Sequence, residues 1–81
     1  MNIFWTKKAL EELDSLPTLI AKRIVEKVER LARKEDIDIK RLTGLPYYRL
    51  RVGDYRVIFD LEKEKITILC VKHRKNVYKA F

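Results

Sequence analysis

Cysteine, glycine and proline are scarce in this chain, and glutamine is absent. One cysteine, Cys70, among 81 residues excludes an internal disulfide, and with a single histidine it leaves no Cys/His cluster of the kind that holds zinc. Two glycines and two prolines exclude collagenous and low-complexity chains. Uncharged stretches such as Ser15 to Ala21 and Ile66 to Val71 fall far below the roughly 18 apolar residues that a membrane span needs. The N-terminus also lacks the basic-then-apolar order of a signal peptide. The expectation is one cytosolic domain over residues 1–81, neither exported nor membrane-embedded, with no metal and no cofactor. The missing glutamine, beside heavy use of Lys, Glu and Arg, leans toward a thermophilic source.

What is present is 47% hydrophobic and 38% charged, the balance of a compact folded chain. The net charge of +7 is not spread evenly. Residues 1–39 are neutral, their bases and acids interleaved as on a solvated helix surface. Residues 40–81 set Lys40, Arg41, Arg49, Arg51, Arg56, Lys63, Lys65, Lys72, Arg74, Lys75 and Lys79 against only Asp54, Asp60, Glu62 and Glu64. The whole excess therefore sits in the C-terminal half, which should face a polyanion or an acidic protein.

Hydrophobic spacing predicts an α+β fold. Asn2 to Trp5 reads as a strand. Thr6 offers an N-cap to a helix over Lys7 to Leu16, with Ala9, Leu10, Leu13 and Leu16 at helical spacing. Pro17 breaks that helix and suits the first turn of a second, whose stripe Ile20, Ile24, Val28 and Leu31 runs to about Arg33, so that the two form an antiparallel hairpin. Asp36 to Pro46 shows no sustained period and reads as a loop. From Tyr47 the period becomes two: Tyr48, Leu50 and Val52, then Tyr55, Val57, Phe59 and Leu61, lie either side of a two-residue Gly53-Asp54 turn. A third strand over Lys65 to His73 is apolar on both sides, as a central strand would be. Arg74 to Phe81 ends the chain, with room for one further turn.

Register follows from the turn. Val52 lies opposite Tyr55, Leu50 opposite Val57 and Tyr48 opposite Phe59, which puts these six on the face toward the helices. The other face then brings Arg51 beside Arg56 and Arg49 beside Ile58. A second two-residue turn at Lys63-Glu64 pairs Leu61 with Ile66, Phe59 with Ile68 and Val57 with Cys70, and sends Leu69, Val71 and His73 to the arginine face. Like charges directly opposite in a sheet repel, and on this reading only Asp60 offsets them. A fold gains nothing from that, whereas a phosphate would be gripped by such planar forks. The competing reading is a set of solvated arginines snorkelling over Ile58 and Leu69. Near this cluster, neighbouring cations should keep His73 neutral and able to accept a proton. Tyr78 could stack on a base or move a proton; alternatively it covers the sheet with Phe81.

The stretches Lys40-Arg41-Leu42-Thr43-Gly44-Leu45-Pro46, Tyr48-Arg49-Leu50-Arg51-Val52-Gly53-Asp54-Tyr55-Arg56-Val57-Ile58-Phe59 and Val71-Lys72-His73-Arg74-Lys75-Asn76-Val77-Tyr78 together resemble the RelE/ParE toxins, and the resemblance spans essentially the whole chain. It implies a small α+β toxin of a toxin–antitoxin pair: an N-terminal strand, a two-helix hairpin, a mainly antiparallel twisted sheet of about four strands and a short C-terminal turn. It further implies, for the RelE branch, mRNA cleavage in the ribosomal A site without metal, and silencing by a RelB-like antitoxin that wraps around the toxin. The free toxin is expected as a monomer and the silenced form as a hetero-oligomer.

By the same resemblance the positions that carry the reaction are Arg49, Arg51, Arg56, Arg74 and Tyr78, joined by His73 as a proton carrier. Lys40, Arg41, Lys72, Lys75 and Lys79 would hold RNA. The first two reaction positions are often Lys in the family; as Arg they cannot serve as a base. Proton transfer then falls to His73 or Tyr78, or the ribosome activates the substrate's own hydroxyl. Two alternatives share the fold: a ParE-like gyrase inhibitor, which catalyses nothing, and a non-catalytic RNA-binding module.

Overall fold

Thr6 has the extended backbone of an N-cap, and its hydroxyl oxygen accepts a hydrogen bond from the Ala9 amide at 3.1 Å, an arrangement worth about 1 kcal/mol to a helix. It starts α1 (Lys7–Asp14) directly after strand β1 (Asn2–Trp5). Pro17 caps α2 (Thr18–Ala32), whose Ile24, Val28 and Leu31 are buried. The computed structural model describes residues 1–35 and 37–80. Asp36, at the head of the expected loop, and Phe81, expected beside Tyr78, lie outside the described residues.

The strands that follow are β2 (Ile39–Arg41), β3 (Tyr48–Val52), β4 (Tyr55–Glu62) and β5 (Lys65–His73), and a 3₁₀ turn (Val77–Ala80) follows them. They form a five-stranded sheet in the order β1-β5-β4-β3-β2. Among the described residues only β1 and β5 run parallel; the other neighbours are antiparallel. This is the α+β architecture expected, with one correction: the segment read as a loop contributes β2, which pairs with β3. Three exposed residues at a sheet edge bury too little to leave an apolar pattern.

Helix α1 packs on β5, and α2 on β3 and β1. Between helices and sheet the core gathers Ala9, Ile24, Val28, Leu31, Leu50, Val52, Val57, Phe59, Ile66, Ile68 and Val71. Among the described residues no helix is long and apolar enough to cross a membrane.

The β3–β4 register is the one that the turn dictates: Tyr48 with Phe59, Leu50 with Val57, Val52 with Tyr55 and Arg51 with Arg56. Gly53 makes this turn at a φ of +57°, with open space where a β-carbon would stand, so the obstacle to any other residue is backbone strain alone. Gly53→Ala should therefore lower stability by about 1 kcal/mol, read from denaturant unfolding.

The β4–β5 register departs from expectation halfway along. Leu61 pairs with Ile66 and Phe59 with Ile68 as anticipated. A bulge between Ile58 and Phe59 then shifts the pairing to Ile58 with Cys70, Val57 with Val71, Arg56 with Lys72 and Tyr55 with His73. The extra residue reverses the facing of everything beyond it. Val71 joins the main core, while Cys70 moves to the opposite face with Ile58 and Val77. His73 likewise leaves the arginine face: its ring meets Tyr55 edge-on at 5.4 Å.

A cleft on the arginine face

The sheet face away from the helices carries a small apolar floor: Ile58, Cys70 and Val77 are buried, with Leu42, Tyr47 and Leu69 packed around them. Val77 thereby pins the C-terminal turn across the sheet, and the loop after β2 folds back through the bond from the Leu42 amide to the Tyr47 carbonyl at 2.9 Å. The Cys70 thiol is enclosed here, and its pKa is raised, first by burial and then by the Glu12 carboxylate. It is a packing residue, poorly disposed to react.

Three strands array cations beside this floor. Arg51 and Arg56 stand directly opposite each other, and Lys40 of β2 stands opposite Arg49. The Arg56 guanidinium is held by the turn itself, its Nη1 donating to the Gly53 carbonyl at 2.8 Å and the Tyr55 carbonyl at 3.0 Å. Burial first, then the charges of Arg51 and Arg49, and after them Arg74, lower its pKa, while Tyr78 acts in the opposite sense. Arg49, Arg51, Arg56, Arg74 and Tyr78 thus lie within electrostatic reach of one point. An arginine remains charged regardless, and both its burial and its like-charged neighbours disfavour that charge, which a bound anion would offset.

The Arg49 side chain is 17% exposed, with Nη2 3.4 Å from the Asp38 carboxylate. Its Nε is buried and makes no hydrogen bond among the described residues. Arg74 is tied to the hairpin turn: its amide donates to the Asp54 carbonyl at 2.7 Å, and its Nε lies 3.7 Å from the Asp54 carboxylate. The acids that partly offset the cluster are therefore Asp38 and Asp54, whereas Asp60, expected in that role, stands opposite Thr67.

A cleft of about 460 Å³ opens against this array, lined by Lys40, Arg41, Leu42, Thr43, Leu45, Arg49 and Tyr78. Tyr78 is 60% exposed at its wall. Of the residues expected to act on RNA, Lys40, Arg41, Arg49 and Tyr78 line this concavity, although Arg41 pairs with Tyr48 and carries its guanidinium over that ring, 6.0 Å from the centroid. Leu42, Thr43 and Leu45 were not anticipated, because they reach the site only through the fold-back of a loop that has no periodicity.

Four expected site residues are placed otherwise or at the margin. His73 sits on the far face, its Nδ1 accepting the Lys75 amide at 3.2 Å, because the bulge reversed its facing. Lys72 stands opposite Arg56 in register, but its ammonium is 2.5 Å from Glu12 Oε2 of α1. That contact, before burial opposes it, raises the Lys72 pKa, so this charge is already satisfied inside the protein. Lys75 stays exposed near the C-terminal turn and Lys79 on it, outside the cleft lining. Among the described residues no three His, Cys, Asp or Glu side chains gather as metal ligands do.

Comparison with known proteins bears on the fold and the site together. Residues 3–78 match the family described as ParE toxin of type II toxin-antitoxin system, parDE. The chain is 33% identical to Toxin RelE3 of Methanocaldococcus jannaschii, the alignment covering 100% of this chain and 99% of that protein. Its backbone is similar to that in the RelB-RelE antitoxin-toxin complex from Methanococcus jannaschii, with a TM-score of 0.80 at 31% identity, over 96% of this chain and 98% of that one. The archaeal RelE-RelB complex from Pyrococcus horikoshii OT3 gives a TM-score of 0.74 at 32% identity, over 90% of this chain and 93% of that one.

Proposed function

Since this chain belongs to the ParE toxin family of type II toxin–antitoxin systems, within the RelE/ParE superfamily, we propose that it acts as a ribosome-dependent mRNA endoribonuclease. The observation that carries this reading is the cleft itself, lined by Arg49, Lys40 and Tyr78 on the face where Arg51 stands directly opposite Arg56. A surface that only bound protein would need the charge, but no proton-bearing hydroxyl beside it.

The step is attack of an RNA 2′-oxygen on its adjacent phosphorus. The P–O2′ bond forms as the P–O5′ bond breaks, the 2′-hydroxyl loses its proton and the 5′-oxygen gains one, leaving a 2′,3′-cyclic phosphate and a free 5′-hydroxyl. Arg49 and Arg56 stabilise the charge that grows on the phosphate oxygens, as fixed cations do where water is excluded. Arg74, with Arg51, holds the backbone and neutralises the leaving oxygen. Tyr78 carries the proton, a role that His73 does not share from the opposite face. Lys40 and Arg41 grip the flanking backbone, with Lys75 and Lys79 as outlying contacts.

The same excess of cations recruits an acidic, partly helical antitoxin of the RelB kind, which gains by neutralising the charge. A ParE-like gyrase inhibitor is the second reading, favoured by the family that residues 3–78 match. Inducing the protein in growing cells and mapping transcript ends alongside DNA integrity separates them. Cuts clustered at fixed codon positions are the expected result. Broken DNA with intact transcripts would instead establish gyrase poisoning, and halted growth with both nucleic acids intact would leave a non-catalytic binder.

A further inference from the structure

Strand β1 covers only the first part of the outer edge of β5, its pairing ending at Trp5 with Ile68. Beyond it the edge is closed by side chains. The Thr6 amide donates to the Ile68 carbonyl at 3.1 Å and its hydroxyl to the Leu69 carbonyl at 3.3 Å. Glu12 of α1 comes next. Its Oε1 accepts the Val71 amide at 2.9 Å and its Oε2 holds the Lys72 ammonium at 2.5 Å, with the carboxylate side chain 16% exposed.

The Val71 bond depends on the bulge. In a regular strand the amide and carbonyl of one residue point the same way and those of the next residue the opposite way. With the Ile68 carbonyl directed at the β1 edge, Cys70 would face that edge and Val71 would face β4. The extra residue turns the Val71 amide outward to Glu12. The bond between the Val71 amide and Glu12 is therefore made only in the bulged register, and hydrophobicity alone discriminates weakly, since Cys70 and Val71 are both apolar.

We infer that Glu12, remote from the cleft, is a positioning residue: it locks β5 in the bulged register and so sets where Arg74 and Tyr78 reach the site. Downstream of Val71 the chain has few other anchors: the Arg74 amide on the Asp54 carbonyl, the contact of Tyr55 with His73 and Val77 on its apolar floor. A slip to the regular register moves each by one residue and carries Arg74 to the other face. The kinetic part of this inference rests on the nuclease reading; the register part does not.

The test compares Glu12→Ala, Glu12→Asp and Glu12→Gln by amide exchange, cross-strand NMR contacts and mRNA cleavage on programmed ribosomes. Glu12→Ala and Glu12→Asp, the latter retaining charge but too short to reach, should speed Val71 exchange by about tenfold. They should also weaken the Val57–Val71 and Tyr55–His73 contacts and lower kcat by about 10–100-fold, with KM little changed. Glu12→Gln, which keeps the acceptor, should restore both exchange protection and kcat. Should Glu12→Ala fail to fold, Glu12→Asp decides. Full Val71 protection in folded Glu12→Asp, or a kcat lost equally in Glu12→Gln, would overturn the inference. If even the unmodified protein cleaves nothing, the nuclease reading falls, and the exchange and contact measurements still decide the role of Glu12.

Discussion

Replacing Arg49, Arg56 and Arg74 together with Ala should abolish the proposed mRNA cleavage and, with it, toxicity, while the chain still folds. Removing one donor aimed at developing charge costs about 10²–10³-fold in rate. In the proposed reaction the three act on the same phosphate, so their effects should not add as independent terms, and the combined loss should reach at least the upper end of that range. Stability should move little. The aliphatic stem of Arg49 is packed, but the repulsion that Arg51, Arg49 and Arg74 exert on Arg56 disappears with the charges. A triple variant that unfolds at nearly the unmodified temperature and fails to cut ribosome-bound mRNA is the expected outcome; one that remains fully toxic would remove the arginines from the chemistry.

The second large effect separates two proton carriers that the sequence alone leaves equivalent. Tyr78→Phe keeps the ring and removes the hydroxyl, and should lower cleavage by about 10²–10⁴-fold, the worth of general acid–base assistance. His73→Gln should cost less than about tenfold, because that ring packs on Tyr55 at the opposite face and is not among the residues that line the cleft. Both are measured as single-turnover cleavage on programmed ribosomes. Equal losses, or a greater loss at His73, would contradict the placement of the proton transfer at Tyr78.

Why His73 was misplaced from sequence shows what periodicity can and cannot resolve. The β3–β4 hairpin is legible because its turn is two residues long and begins with glycine, so one register follows and every facing is determined. Arg49, Arg51 and Arg56 could be assigned to one face on that ground alone. Strand β5 also starts from a two-residue turn, and its first pairs follow from it, but Ile66 to Val71 offers apolar side chains to both faces over most of its length, so a residue inserted further along leaves the hydrophobic pattern intact. The choice between Cys70 and Val71 for the main core is made by tertiary contacts, Glu12 among them. Strand β2 was hidden for the opposite reason, being short, polar and exposed. Yet it is β2 that stands Lys40 beside Arg49 and opens the cleft. The basic character of that segment was evident; its role as a wall was not, since it depends on a partner strand several residues further along.

The account depends most on a ribose-phosphate linkage being cut by its own 2′-oxygen among these guanidinium groups. The direct measurement uses ribosomes programmed with mRNA carrying a single 2′-deoxynucleotide immediately 5′ of the scissile phosphate. Cleavage should vanish at that bond, while the all-ribose message yields a 2′,3′-cyclic phosphate and a 5′-hydroxyl. Undiminished cutting of the deoxy-substituted message, or products ending in a 5′-phosphate, would contradict it.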